Sequence, residues 1–101
     1  MPLQYAPVTN GWADRIVMPL PKSSFSFLPS ALKVAKNKCS VHYYTFGSAD
    51  SAFKETESKI IKFFRKRKCN VNIVFERKVR EYSPKEIEIV VDFKIDKGNR
   101  R

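Results

Sequence analysis

The chain has 101 residues, with 20 Lys or Arg against 10 Asp or Glu, a formal net charge of +10. That is the length of one domain, and 43% apolar with 13% aromatic residues supplies a core, which excludes wholesale disorder. No apolar run is long enough to span a membrane, no signal-peptide pattern opens the chain, and two cysteines make no disulfide framework, so an intracellular placement (nucleus and/or cytoplasm) is expected.

Residues 1–14 carry Pro2, Pro7, Asn10 and Gly11 without periodicity and read as an extended N-terminal arm, with Tyr5 and Trp12 as candidates to dock. Arg15 to Leu20 is a strand ended by Pro19 and Pro21. After a polar loop, Lys22 to Ser26, the residues Phe27, Leu28, Ala31, Leu32 and Ala35 have helical spacing, with Pro29 in the first turn and an end by Asn37. Cys39 to Phe46 is rich in β-branched and aromatic residues and stops at Gly47, as a strand does.

Ser48 or Asp50 can cap a second helix, because a side-chain oxygen accepts from the free N–H groups of a first turn. Ala52/Phe53, Thr56, Ile60 and Phe63/Phe64 then recur every three to four residues, with acids early and bases late, as the helix dipole favours. Val71, Ile73 and Phe75 alternate in a strand that continues through Val79. Ser83-Pro84 turns the chain, and Ile87, Ile89, Val91, Phe93 and Ile95 alternate in its hairpin partner. Residues 97–101 form a basic C-terminal tail. The expected fold is α+β: a β-α-β-α-β-β two-layer sandwich over 15–96, with a four-stranded mixed sheet and two helices on one face.

The charge is concentrated. From Lys59 to Arg80 there are nine basic residues and one acid, Glu76, whereas a merely solvated face mixes signs. Lys22, Lys62, Arg65, Lys66, Arg67, Arg77, Lys78, Arg80 and Lys85 are the candidate nucleic-acid-binding residues. Bases on a hairpin also keep a sheet edge unpaired, and bases at a helix end are stabilised without any ligand. Tyr43, Tyr44 and Phe46 suit base stacking only where they face out, which alternation allows for half of that strand. Cys39, His42 and Cys69 are weak as a metal set beside paired Cys-x2-Cys spacing, so free buried thiols are expected, with no metal and no cofactor. Glu55 and Glu57 point to different sides of a helix and form no acid/base pair, and there is one histidine; the chain is expected not to be an enzyme.

Three stretches together resemble the Alba family of small basic DNA- and RNA-binding proteins. They are "DRIVMPLPKSSFSFLPSALKVAKN", "CSVHYYTFGSADSAFKETESKIIKFFRKR" with Gly47 and Ala49 at the helix opening, and "VNIVFERKVREYSPKEIEIVVDFKID" with the Ile87-Glu88-Ile89 pattern. Phe46 and Ser48 stand where many members have arginines around the glycine, Lys22 alone matches the basic loop, and the hairpin arm reads as shorter than usual. The resemblance implies a homodimer, or a heterodimer with a related Alba-like subunit, binding RNA or duplex DNA with little sequence preference. Two alternatives accompany it. One is a structural subunit of a ribonuclease P/MRP-like ribonucleoprotein; the other is a cystatin-like protein-binding module, which requires the first helix to be absent.

Overall fold

Alternation at Ile87, Ile89, Val91, Phe93 and Ile95 puts five side chains on one face of a strand, and all five are buried. The computed structural model describes residues 11–98. Its elements are β1 (Ala13–Met18), α1 (Ser24–Val34), β2 (Ala35–Ser48), α2 (Ala52–Lys66), β3 (Asn70–Ser83) and β4 (Glu86–Asp96). The sheet order is β1-β2-β4-β3. β1 lies parallel to β2, and β4 runs antiparallel to both β2 and β3.

Register decides which face is covered. Cys39, Val41 and Tyr43 lie opposite Ile95, Phe93 and Val91. Onto these pack Leu28 and Ala31 of α1 and Ile60, Phe63 and Phe64 of α2, in one core. Both helices therefore cover the same face. The even-numbered positions of β2 and β4 form the open face, with Arg15 and Val17 of β1 and Phe75, Arg77 and Arg80 of β3 beside them. The presence of α1 removes the cystatin-like reading.

Several boundaries differ from expectation. Ala13 is buried in β1, and the N–H groups of Gly11 and Trp12 donate to the Ala35 and Val34 carbonyls (3.1 and 2.8 Å), so residues 11–14 belong to the domain. The remainder of the expected arm, Tyr5 included, lies outside the described residues. Trp12 itself does not dock: its side chain is exposed. α1 begins at Ser24, which leaves Pro29 beyond the first turn. The buried Ser24 hydroxyl holds that start, within hydrogen-bond reach of the Met18 and Leu20 carbonyls (3.2 and 3.1 Å).

Ser51, rather than Ser48 or Asp50, is the N-cap residue of α2, and its hydroxyl donates to Glu55 Oε2 at 2.9 Å. The hairpin has strands of 14 and 11 residues. Three register shifts in β3 increase its twist. At the turn, Ser83 Oγ accepts from the N–H groups of Lys85 and Glu86. Lys97 is no loose tail residue: it is buried, its Nζ donates to the Ala35 carbonyl and its N–H to that of Asn37. Residues 99–101 lie outside the described part.

Candidate nucleic-acid interface

Positions 59, 62, 63 and 66 are three or four apart, so they share one face of α2. That face meets α1. Lys59, Lys62, Phe63, Lys66 and Arg67 join Phe25, Ser26 and Pro29 around a groove of about 650 Å³ with no acidic side chain in its lining. The Arg67 guanidinium stacks 3.7 Å from the Phe63 ring centroid, and Nη1 donates to the Phe63 carbonyl at 2.9 Å. Phe25 stands edge-on to Phe63 (6.2 Å, 74°) yet is 43% exposed, with Lys59 Nζ 5.2 Å from its ring centroid. The result is a basic groove with a rigid aromatic wall.

Of the nine residues predicted to bind nucleic acid, Lys62, Lys66 and Arg67 meet in this groove. Arg65 is exposed outside it, Lys22 sits in the turn before α1, and Lys85 in the hairpin turn. Arg77 and Arg80 stand on the open face of β3, and Lys78 on the helix side. Two of these hairpin bases are engaged: Lys78 Nζ is 2.9 Å from Glu81 Oε2, and Arg80 Nε is 3.5 Å from Glu88 Oε1. The helix end and the hairpin, which the Alba resemblance would bring together in a dimer, lie apart within one chain. α2 begins beside the hairpin turn, where the Ala49 N–H donates to the Lys85 carbonyl (2.9 Å), and runs away from it for about 22 Å at ~1.5 Å per residue.

Sequence reasoning missed Phe25, which was assigned to a polar loop, and Lys59 as a groove residue. The Lys59/Lys62/Lys66 spacing carried the signal for the lysine; nothing in the sequence singled out Phe25. It also missed an acid pair. Glu76 of β3 meets Glu57 of α2, and burial first, then the neighbouring Glu57 carboxyl, push the Glu76 carboxyl up to about 7.

The open face has a different character. His42 Nδ1 lies 2.8 Å from Asp92 Oδ1 and Nε2 3.2 Å from Arg15 Nη1. Phe46 packs edge-on against Tyr82 at 4.7 Å. Glu86, Glu88, Asp92 and Asp96 stand among Arg15, Lys36, Lys38, Arg77, Arg80 and Lys94, so acids are interspersed with the bases. Of the aromatic trio, Tyr43 is in the core, where burial pushes its hydroxyl up to about 12; Tyr44 and Phe46 are on the open face. Cys39 faces the helices and His42 the open side, so they cannot share a metal ion. Both cysteines are free and buried.

Residues 5–74 match a family model described as the TRM5/TYW2 methyltransferase domain. The chain is 36% identical over 84 residues to the tRNA (guanine(37)-N(1))-methyltransferase Trm5b of Methanocaldococcus jannaschii, covering 83% of this chain and 23% of that protein. Among solved structures it resembles P. horikoshii TYW2 in complex with MeSAdo, with TM-score 0.84, 26% identity, and coverage of 97% of this chain and 37% of the other. It also resembles aTrm5 in complex with tRNALeu, with TM-score 0.64, 32% identity, and coverage of 93% and 25%. The chain spans about a quarter of the length of the curated relatives it matches.

These matches overturn the Alba resemblance, and with it the sequence-independent DNA binder, the Alba-like dimer and the ribonuclease P/MRP alternative. They also overturn the expectation of a chain outside enzymology, since the relatives are methyltransferases. An order of strands and helices alone carries neither family nor function.

Among the described residues no glycine-rich turn of the kind that cradles a nucleoside cofactor follows a parallel strand. Such ligands sit in open crevices at the carboxyl ends of parallel strands, against glycine-rich turns. The single glycine near the end of β2 packs on α2 instead: a Cβ on Gly47 would lie 2.6 Å from that of Ala52. The sheet has one parallel pair, β1 with β2, and Ser24 closes the carboxyl end of β1. No helix among the described residues is long and apolar enough to cross a membrane.

Proposed function

The chain belongs to the TRM5/TYW2 methyltransferase-domain family, and from that premise we propose that it serves the methylation of tRNA as the unit that grips the RNA backbone, inside the cell. The observation that carries this reading is one groove that gathers four bases and no acid. The groove between the helices presents Lys59, Lys62, Lys66 and Arg67 with no acid in its lining, while on the sheet side carboxylates stand interspersed among the bases. Like charges held on one surface repel unless a polyanion lies against them, and phosphate contacts release counterions. Support for RNA as that polyanion comes from the relatives: one is named a tRNA methyltransferase and another was solved with tRNALeu.

The test is binding of the full chain to transfer RNA across a salt series, with duplex DNA of equal length alongside. Affinity for tRNA should fall by about 10² between ~50 and ~200 mM salt if the four groove cations each contact a phosphate. A flat salt response, or a preference for the DNA, overturns the reading.

A further inference from the structure

The groove between α1 and α2 holds more than positive charge. We infer that it is a binding site for one unpaired nucleotide of the RNA, with the base laid on Phe25 and the flanking phosphates on Lys59, Lys62 and Lys66. This rests on the RNA reading above and names the place where that contact is made.

Three observations carry it. Phe25 is a large apolar side chain left 43% exposed beside the buried Phe63, and it lines the basic groove, which the likewise exposed Phe27 does not. Its orientation is set: it stands edge-on to Phe63, whose own ring is capped by the Arg67 guanidinium at 3.7 Å. The Phe25 ring already seats a π-partner, the Lys59 ammonium 5.2 Å from its centroid. A nucleobase offers a face in place of that cation, and the lysine, on a flexible stem, swings to the phosphate on the same nucleotide.

Size and charge agree with that occupant. The groove is about 650 Å³, within the ~300–1,000 Å³ of small-ligand clefts. A continuous duplex hides its base faces in the stack, so it offers nothing for Phe25. An unpaired nucleotide offers both the stacking surface and the phosphates. An acidic protein segment would satisfy the lysines but has no need of the exposed ring.

The experiment compares the full chain with its Phe25→Leu and Phe25→Tyr variants, using a hairpin RNA with an unpaired loop and a fully paired RNA of the same length. Phe25→Leu should bind the looped RNA about tenfold more weakly, the scale of one lost base–aromatic stack, and bind the paired RNA unchanged. Phe25→Tyr keeps the ring and should bind the looped RNA as the parent does, which keeps the test decisive even if the leucine variant folds poorly. Equal loss on both RNAs, no loss on either, or displacement of the looped RNA by polyglutamate as readily as by unlabelled RNA would overturn the nucleotide site while leaving RNA binding in place. Failure of the parent chain to bind any RNA would instead sink the functional reading on which it rests.

Discussion

The carboxyl group of Glu76 on β3 lies against that of Glu57 on α2, and its Oε2 is buried without a hydrogen-bond partner. Two carboxylates cannot share that contact unless one holds a proton, and burial first, then Glu57, pushes Glu76 up to about 7 from an ordinary 4.5. A raised carboxyl means the folded chain binds the proton more tightly than the unfolded one, so this pair favours folding at low pH and loses that advantage as pH rises from about 4.5 through about 7. Glu76→Gln should therefore raise the melting temperature at pH 8 and leave it nearly unchanged below pH 4.5. Thermal unfolding followed across pH checks this; an equal shift at every pH would refute the shared proton.

Gly47 closes β2 where α2 begins, and a Cβ there would sit 2.6 Å from Ala52 Cβ and 3.0 Å from Ala52 Cα. The obstacle is a short side chain and its backbone, neither of which can swing aside. Gly47→Ala should destabilise the fold by about 1–3 kcal/mol, the usual penalty of overpacking. Urea unfolding would measure it, and an Ala52→Gly change in the same chain should restore part of the loss.

The hairpin and the long helix were legible in the sequence because their periods are unbroken over many residues. Ile87, Ile89, Val91, Phe93 and Ile95 recur at every second position, with Val90 the one apolar residue between them, and Ile60, Phe63 and Phe64 repeat at helical spacing. The start of α1 was not legible, since it depends on a tertiary bond from Ser24 to carbonyls at the end of β1. That error hid Phe25 and hence the groove. The family was not legible either, because turn glycines and alternating strands report a fold, whereas identity along the whole chain reports descent. The acid pair needed two elements, one of them an apparently solvent-facing helix position, to be seen side by side.

His42 is held from both sides on the open face, and chemistry dictates its tautomer. A guanidinium has only donors, so the Nε2 that faces Arg15 must accept, and the proton lies on Nδ1, donated to Asp92. Nitrogen-15 spectra of the imidazole at pH 8 should show the Nδ1–H form. Asp92→Asn should shift the ring towards the Nε2–H form, common in solution, because the anion that draws the proton is gone. An Nε2–H signal in the parent chain would contradict the geometry.

Two groups of cations compete as the RNA contact, and their engagements separate them. On the hairpin, Lys78 is tied to Glu81, and its ammonium holds the Glu81 carboxyl below the ordinary range. Arg80 sits beside the largely buried Glu88, which leaves that acid without its partner if the arginine is removed. In the groove, Lys59, Lys62 and Lys66 face one another with no acid among the lining residues. A phosphate taken up by an engaged base must displace its carboxylate; one taken up in the groove relieves repulsion instead. Lys59→Ala/Lys62→Ala/Lys66→Ala should therefore flatten the salt dependence of tRNA binding by about 2 in log–log slope, at roughly 0.7–0.9 per phosphate contact. Arg77→Ala/Lys78→Ala/Arg80→Ala should flatten it by about 1 or less on the same scale and lower the melting temperature through Glu88. The reverse ranking, measured on folded proteins, would move the RNA contact to the hairpin.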